Sequence, residues 1–172
     1  MDRAELQAVQ APLKERYRED PGAALVTLRA EGELGAEEIA CSVETGRALV
    51  VAGLHPATGG SGALACSGDL LLQALAACAG VTLRAVATSL GLSVSGRVLV
   101  EGDLDFRGTL GVAKDEGVPV GFRAIRLRFE LDAGPGVGEA ELATLLRLTE
   151  RYCVVYQTLA GGVPVDVAAA RG

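Results

Sequence analysis

The chain of 172 residues has the length of one ordinary domain and is long enough to bury a sizeable core. Hydrophobic residues make up 49% and charged residues 22%, which is typical of a globular protein, while aromatic residues make up only 3%, so that leucine, valine and alanine must build the core. The net charge of -6, without any basic run, argues against a nucleic-acid surface.

The charged first segment, residues 1–20, predicts an exposed helical extension and lacks the pattern of a signal peptide. Residues 21–172 are expected to form a single domain, because no linker, repeat or low-complexity tract divides them. The longest apolar run, Leu70 to Leu83, is interrupted by Gln73 and is too short to span a bilayer. We therefore expect a cytoplasmic protein without a membrane partner.

A pattern of antiparallel strands begins after the extension. Alternation of apolar and polar residues predicts half-buried strands from Ala24 to Ala30 and from Ile39 to Val43. A tight turn at Thr45 to Arg47 leads to a third strand, Ala48 to Ala52, which would complete a meander. The glycine-rich residues 53–68 are expected to form a loop.

A buried helix is predicted from Asp69 to about Leu90, because apolar side chains cover every face of that segment. Ser67 is the expected N-cap, and Gly91 would end the helix. Asp69 lies in the first turn, where the positive end of the helix dipole stabilises a negative charge. Since one domain of this size struggles to cover such a helix alone, we expect a homodimer.

Two longer strands with one wet face are predicted from Val98 to Phe106 and from Ile125 to Leu131. A second helix is expected from Glu139 to about Tyr152, after the breaker residues 134–136, and Val163 to Val167 favours a last strand. This order of elements predicts an α+β fold in which antiparallel sheets surround two central helices.

Cysteines at positions 41, 66, 78 and 153 form no Cys-x-x-Cys pair and are accompanied by a single histidine, so no metal or cofactor is expected. Cys78 shares a helix face with Leu75 and Thr82, and Cys153 continues the apolar stripe of the second helix. Both are inert core residues, or they meet as a redox pair if the two helices pack together. In a pair, a thiolate attacks a peroxide oxygen, becomes a sulfenic acid and condenses with the second thiol.

Residues 67–92, SGDLLLQALAACAGVTLRAVATSLGL, resemble the signature of the osmotically inducible protein C / organic hydroperoxide resistance (OsmC/Ohr) family. Residues 148–159, LTERYCVVYQTL, are similar to the family's second cysteine motif, and the likeness covers most of residues 24–168. The resemblance implies an intertwined homodimer with two long helices held between sheets. It also implies a thiol-dependent peroxidase that reduces organic hydroperoxides with Cys78, resolves with Cys153 and uses a dithiol reductant.

Three positions depart from the pattern of the family's peroxidases. Gly68 stands where those proteins carry a glutamate, and Asp69 is the candidate to take its place. The first hairpin, residues 31–35, lacks their arginine, and Arg29 is the nearest candidate to lower the pKa of the thiol. Val154 follows Cys153 where the motif usually reads Cys-Pro.

These departures leave a second function open, an OsmC-like protein that binds a small apolar ligand without peroxidase turnover. A purely structural dimer ranks behind both functions. Cys66 is interpreted as a loop cysteine or a spare resolving thiol, His55 as a surface or dimer-contact residue or a general base, and Cys41 as a core residue.

Overall fold

A computed structural model of the chain describes residues 3–34, 41–43 and 52–169, with side chains described for residues 8–26 and 52–169. The predicted turn at Thr45 to Arg47 and most of the predicted strand from Ala48 to Ala52 lie outside the described residues. The helices and strands follow one another as α1 (Arg3–Glu19), β1 (Leu25–Leu34), β2 (Cys41–Val43), β3 (Ala52–Gly53), β4 (Ala65–Cys66), α2 (Ser67–Leu90), β5 (Val94–Asp105), α3 (Phe106–Leu110), β6 (Phe122–Ala133), α4 (Glu139–Tyr152) and α5 (Val154–Gly161).

A four-stranded antiparallel sheet with the order β2-β1-β5-β6 forms one layer, and β3 and β4 pair separately in parallel. The inner face of β5 is apolar, since Val98 and Val100 are buried. The outer face carries ion pairs across the strands, among them Arg97 with Glu130. The predicted strands with one wet face are therefore present, and both are longer than predicted.

Helix α2 packs on the inner face of this sheet and forms the centre of the core. Its buried residues are Leu72, Leu75, Ala76, Ala79, Gly80, Leu83 and Ala87. Gly102 of β5 permits the close approach, because a Cβ at that position would lie 3.1 Å from the Leu72 side chain and would overlap the Phe122 ring. Among the described residues, α2 is the helix long and apolar enough to cross a membrane, a property that it shares with the core helices of soluble proteins.

Part of the face of α2 that points away from the sheet is exposed among the described residues. Leu71 and Val81 are 37% and 40% exposed, whereas α4 covers the far end of the helix, where Leu145 packs in the cluster that contains Leu83. Among the described residues, part of the α2 surface is therefore uncovered, and the expected homodimer stays a prediction.

Several element boundaries differ from the prediction. Ser67 is the first residue of α2 and not its N-cap, since Cys66 takes that position and its side chain makes no capping hydrogen bond. Phe106 begins α3 and does not end the strand, because the Asp105 side chain accepts a hydrogen bond from the Arg107 N–H and caps a helical turn. Gly91 ends α2 as predicted, in the left-handed conformation with a φ of 68°.

The predicted last strand from Val163 to Val167 is wrong, because residues 162–169 have no regular secondary structure. Val163, Val165 and Val167 are 56%, 78% and 94% exposed. Alternating valines favour a strand only where a neighbouring strand accepts the backbone hydrogen bonds, and no described strand pairs with this segment.

The N-terminal helix is anchored to the domain. Most of its described side chains are exposed, but Tyr17 is 2% exposed and its hydroxyl donates to the Ala57 carbonyl at 2.7 Å. Gln10 Nε2 donates to the Thr58 carbonyl at 3.2 Å. These contacts hold α1 against the loop that carries His55.

Asp105 is a buried charge that ties three elements together. Its side chain is 0% exposed, and it accepts from Arg107 Nη2 at 2.7 Å and Nε at 3.0 Å, with Arg123 Nη1 at 3.8 Å. The Arg107 hydrogen bonds hold the pKa of Asp105 below its ordinary value against the opposing effect of burial. Arg107 also bonds to the exposed Glu116, which connects α3 to the loop before β6.

The variant Asp105→Ala is expected to lower the free energy of unfolding by about 3 kcal/mol, because it leaves the Arg107 guanidinium without its buried partner. Glu116→Ala removes an exposed partner of the same arginine and should cost less than about 1 kcal/mol. Folding lowers the pKa of Asp105. Its ionised carboxylate therefore stabilises the folded protein fully above about pH 3.9, and this stabilisation is lost as the pH falls through the folded-state pKa. Urea denaturation at several pH values measures the free energy of unfolding of each variant. An equal loss of this free energy in Asp105→Ala and Glu116→Ala would contradict the predicted difference.

Candidate active site

Cys78 and Cys153 are brought together by a break between two helices. Cys78 lies in the middle of α2, and Cys153 is both the C-cap of α4 and the N-cap of α5, with φ -73° and ψ 106°. At this break the Cys153 side chain lies in the core cluster against which Cys78 packs, and each thiol shifts the pKa of the other. Cys78 is half-buried, Cys153 is 0% exposed, and both are free thiols.

Three further donors converge on the Cys78 sulfur. The Thr82 hydroxyl, one turn later in α2, and the backbone N–H groups of Val154 and Val155 lower the pKa of Cys78 by hydrogen bonding to its sulfur. The two valines are the first residues of α5, and N–H groups in the first turn of a helix have no acceptor within the helix. The positive end of the α5 dipole therefore points at the sulfur.

The two thiols have opposite pKa shifts. Burial raises the pKa of Cys78, but hydrogen bonds from the Val155 N–H, the Cys153 thiol, the Thr82 hydroxyl and the Val154 N–H outweigh burial and leave the pKa below its ordinary value. Burial raises the pKa of Cys153 to about 11; the Tyr156 N–H lowers it in part and the neighbouring Cys78 raises it. The pair therefore favours a thiolate at Cys78 and a protonated thiol at Cys153.

Arg29, the predicted source of positive charge, lies in β1 with its backbone opposite Glu101 of β5. Its side chain lies outside the described residues, so its role stays a prediction. Sequence reasoning missed the amide donors of α5, because neither glycine nor proline marks the helix break at Cys153.

Asp69 lies in the first turn of α2, nine residues before Cys78, which corresponds to a rise of about 13.5 Å along the helix. Burial raises the pKa of its carboxyl, and the nearby His55 lowers it in part. The His55 ring stacks on Phe106 with centroids 4.8 Å apart, and its Nδ1 accepts from the Ala57 N–H at 3.1 Å. The structure thus places Asp69 beside His55 and away from the two sulfurs of its own chain, and any role in the chemistry stays a prediction.

Cys66 lies twelve residues before Cys78, which is about 18 Å along the helix axis. A disulfide requires Cα atoms within roughly 7 Å, so Cys66 as a spare resolving thiol for Cys78 is wrong within one chain. Cys41 lies in β2, and its side chain lies outside the described residues. Among the residues with described placement, no group of three or more His, Cys, Asp or Glu side chains could hold a metal ion.

An open groove of about 720 Å³ lies between β6 and the α4–α5 segment, and we call it the β6–α5 groove. Its lining is mainly apolar and includes Leu75, Ile125, Leu127, Phe129, Leu146 and Tyr156. Leu75 lies one turn before Cys78, and the Tyr156 N–H bonds to Cys153, so the inner wall of the groove is next to the thiol pair. Arg123, Arg128 and Glu150 supply its charged groups.

Comparison with known proteins identifies this same part of the chain. Residues 60–168 match the model of a family described as OsmC-like protein. The matched segment contains α2 with Cys78, the long strands β5 and β6, and the α4–α5 break with Cys153. No curated protein matches the chain at a significant level.

Alkylation by iodoacetamide at increasing pH is expected to modify Cys78 with an inflection below the ordinary thiol pKa of about 8.5. Cys153 is expected to stay unmodified until the pH approaches its pKa of about 11. Mass spectrometry of the alkylated peptides separates the two cysteines, and the same protein unfolded in urea is the control in which both pKa values become ordinary. Modification of Cys153 at a lower pH than Cys78 in the folded protein would contradict the assignment.

Proposed function

The chain belongs to the OsmC-like protein family, and from this premise we propose that it is a thiol-dependent peroxidase that reduces organic hydroperoxides in oxidative-stress defence. Membership of the family supports a general, stress-related function of the OsmC/Ohr type. The hydrogen-bonded contact between Cys78, with its lowered pKa, and Cys153, with its pKa of about 11, carries the proposal. A nucleophilic thiolate beside a protonated thiol is the arrangement that a two-cysteine peroxidase needs.

In the first step, the Cys78 thiolate attacks the terminal oxygen of the hydroperoxide. A sulfur–oxygen bond forms, the oxygen–oxygen bond breaks, and the alkoxide leaves with the electron pair and takes a proton from solvent to become an alcohol. Sulfur is oxidised, peroxide oxygen is reduced, and Cys78 becomes a sulfenic acid.

In the second step, Cys153 resolves the sulfenic acid. Its sulfur bonds to the Cys78 sulfur while the sulfur–oxygen bond breaks, and the hydroxide leaves with the Cys153 proton as water. The raised pKa keeps Cys153 protonated beforehand, so that Cys153 does not compete as the nucleophile. A dithiol reductant then exchanges with the disulfide and restores both thiols.

The β6–α5 groove supports an organic substrate. Its volume of about 720 Å³ lies within the range of roughly 300–1,000 Å³ that small-molecule sites occupy. An apolar substituent on the peroxide would be removed from water there, whereas hydrogen peroxide has no apolar surface to bury. The same groove favours a second candidate function, binding of a small apolar ligand without turnover.

We also propose that the protein works as a homodimer in the cytoplasm, where thiols stay reduced. The support for a dimer is the open face of α2, where Leu71 is 37% and Val81 is 40% exposed, together with the exposed valines of residues 162–169. A second copy that covers these side chains would remove apolar surface from water.

With a dithiol reductant, the protein is expected to consume cumene hydroperoxide faster than hydrogen peroxide. Cys78→Ser should abolish turnover, because it removes the nucleophile, and Cys153→Ser should turn over more slowly, because the external dithiol must then reduce the Cys78 sulfenic acid directly. Cys66→Ser is the matched control and should keep the full rate. Peroxide consumption that is unchanged in Cys78→Ser would refute the peroxidase, and absence of consumption by the wild type would favour the ligand-binding function.

Light scattering at micromolar concentration is expected to give the mass of a dimer. Val81→Glu places a charge on the open face of α2 and should shift the protein towards a monomer, since the burial of an unpaired carboxylate is unfavourable. Val120→Glu, at a loop position that is 66% exposed, is the control and should stay dimeric. A monomer mass for the wild type would contradict the proposed assembly.

A further inference from the structure

Arg128 of β6 is an exposed cation without a carboxylate partner among the residues whose side chains are described. Two residues earlier in the strand, the Arg126 guanidinium bonds to the carboxylates of Asp103 and Glu101 on the outer face of the sheet. The charge of Arg126 is therefore compensated within the protein, whereas the charge of Arg128 is available to an external anion.

Arg128 also lines the β6–α5 groove, where apolar side chains border it. Its neighbours in the strand, Leu127 and Phe129, line the same groove, and both are half-buried and pack against the core. Because β6 lies at the edge of the four-stranded sheet, side chains from both of its faces reach the groove. The groove therefore presents an apolar wall beside an uncompensated guanidinium.

The charge balance at the groove is opposite to that of the whole chain. Two cations, Arg123 and Arg128, and one anion, Glu150 of α4, line the groove, whereas the chain has a net charge of -6. Arg123 Nη1 lies 3.8 Å from the Asp105 carboxylate, so part of its charge is used within the protein. A negatively charged group is therefore attracted to Arg128 more than to the rest of this acidic protein.

We propose that the β6–α5 groove binds an apolar molecule that carries one carboxylate, and that Arg128 is the residue that determines this specificity. The planar guanidinium matches the two oxygens of a carboxylate, and the apolar part of the molecule lies against Leu127 and Phe129. The inference rests on the proposed function, because it names the class of organic substrate, or of unreacted ligand, that the same groove takes.

Isothermal titration calorimetry of the reduced protein with decanoate and decanamide tests the inference, because the two molecules share one chain and differ in the charge of the head group. Decanoate is expected to bind about fivefold more tightly, which is the upper limit for an ion pair at an exposed site. In Arg128→Gln this preference should disappear while the affinity for decanamide stays the same. Octanoate should bind about tenfold more weakly than decanoate, because two fewer methylene groups are removed from water.

Two further variants test whether the carboxylate is recognised at the groove. Glu150→Gln removes the anion of the groove and is expected to tighten the binding of decanoate about twofold without a change for decanamide. Arg147→Gln removes an exposed charge of α4 that is not part of the groove lining, and it should leave both affinities unchanged.

Equal affinities of the wild type for decanoate and decanamide, or a preference that survives in Arg128→Gln, would overturn the inference. An equal loss of the preference in Arg147→Gln would overturn it as well, since the net charge alone would then account for the preference. Binding of neither molecule would also overturn it, and would indicate that a protein segment, from the same chain or from a second copy, fills the groove.

These titrations use no peroxide, so their result is separate from that of the peroxidase assay. A carboxylate preference that depends on Arg128, in a protein that consumes no hydroperoxide, would contradict the proposed peroxidase and leave the ligand class established. Hydroperoxide consumption without any preference for the carboxylate would contradict this inference alone.

Discussion

The hydrogen bonds between the first turn of α5 and the Cys78 sulfur are the interaction on which the candidate site depends. They exist because one residue, Cys153, ends α4 and begins α5: its N–H donates to the Thr149 carbonyl, and its carbonyl accepts from the Gln157 N–H. The same residue therefore delivers a second thiol and a set of unpaired amides to one point on α2. If α4 continued without a break, those amides would be used inside the helix.

The two thiols have opposite pKa shifts because more hydrogen-bond donors lower the pKa of Cys78 than that of Cys153. Burial alone would raise the pKa of both cysteines, because it disfavours the thiolate. A hydrogen bond to a charged group contributes about 1.5–3 kcal/mol, so hydrogen bonds to the thiolate oppose the cost of its desolvation. Cys78 receives enough donors to outweigh that cost, whereas Cys153, 0% exposed, keeps a pKa raised to about 11.

Sequence periodicity predicted the parts of the fold that depend on local pattern. The alternation around Val98 and Val100 indicated a strand with one buried face, and the apolar segment ending at Gly91 indicated the core helix, because side-chain spacing decides which face is buried. The exposed valines of residues 163–167 show the limit of that reasoning, since a strand also requires a partner that periodicity does not specify.

The sequence predicted the two cysteines of the candidate site but not the hydrogen-bond donors around Cys78. The positions of Cys78 and Cys153 on apolar helix faces, with the family resemblance, indicated a pair, and the structure brings the two thiols into contact. Arg29 stays a prediction as a source of positive charge, whereas backbone N–H groups of α5 cannot be recognised in a sequence. The α4–α5 break depends on how Cys153 packs against α2, which is tertiary and has no local signal.

The central claim is that Cys78 and Cys153 react as one redox pair within the chain. The most direct measurement adds one equivalent of an organic hydroperoxide to the reduced protein, without reductant, and maps the cysteine linkages in unreduced peptides by mass spectrometry. The account predicts one alcohol formed per chain, an intrachain Cys78–Cys153 disulfide, and an unmodified Cys66. A linkage that includes Cys66, or oxidation of Cys153 with Cys78 still reduced, would contradict it.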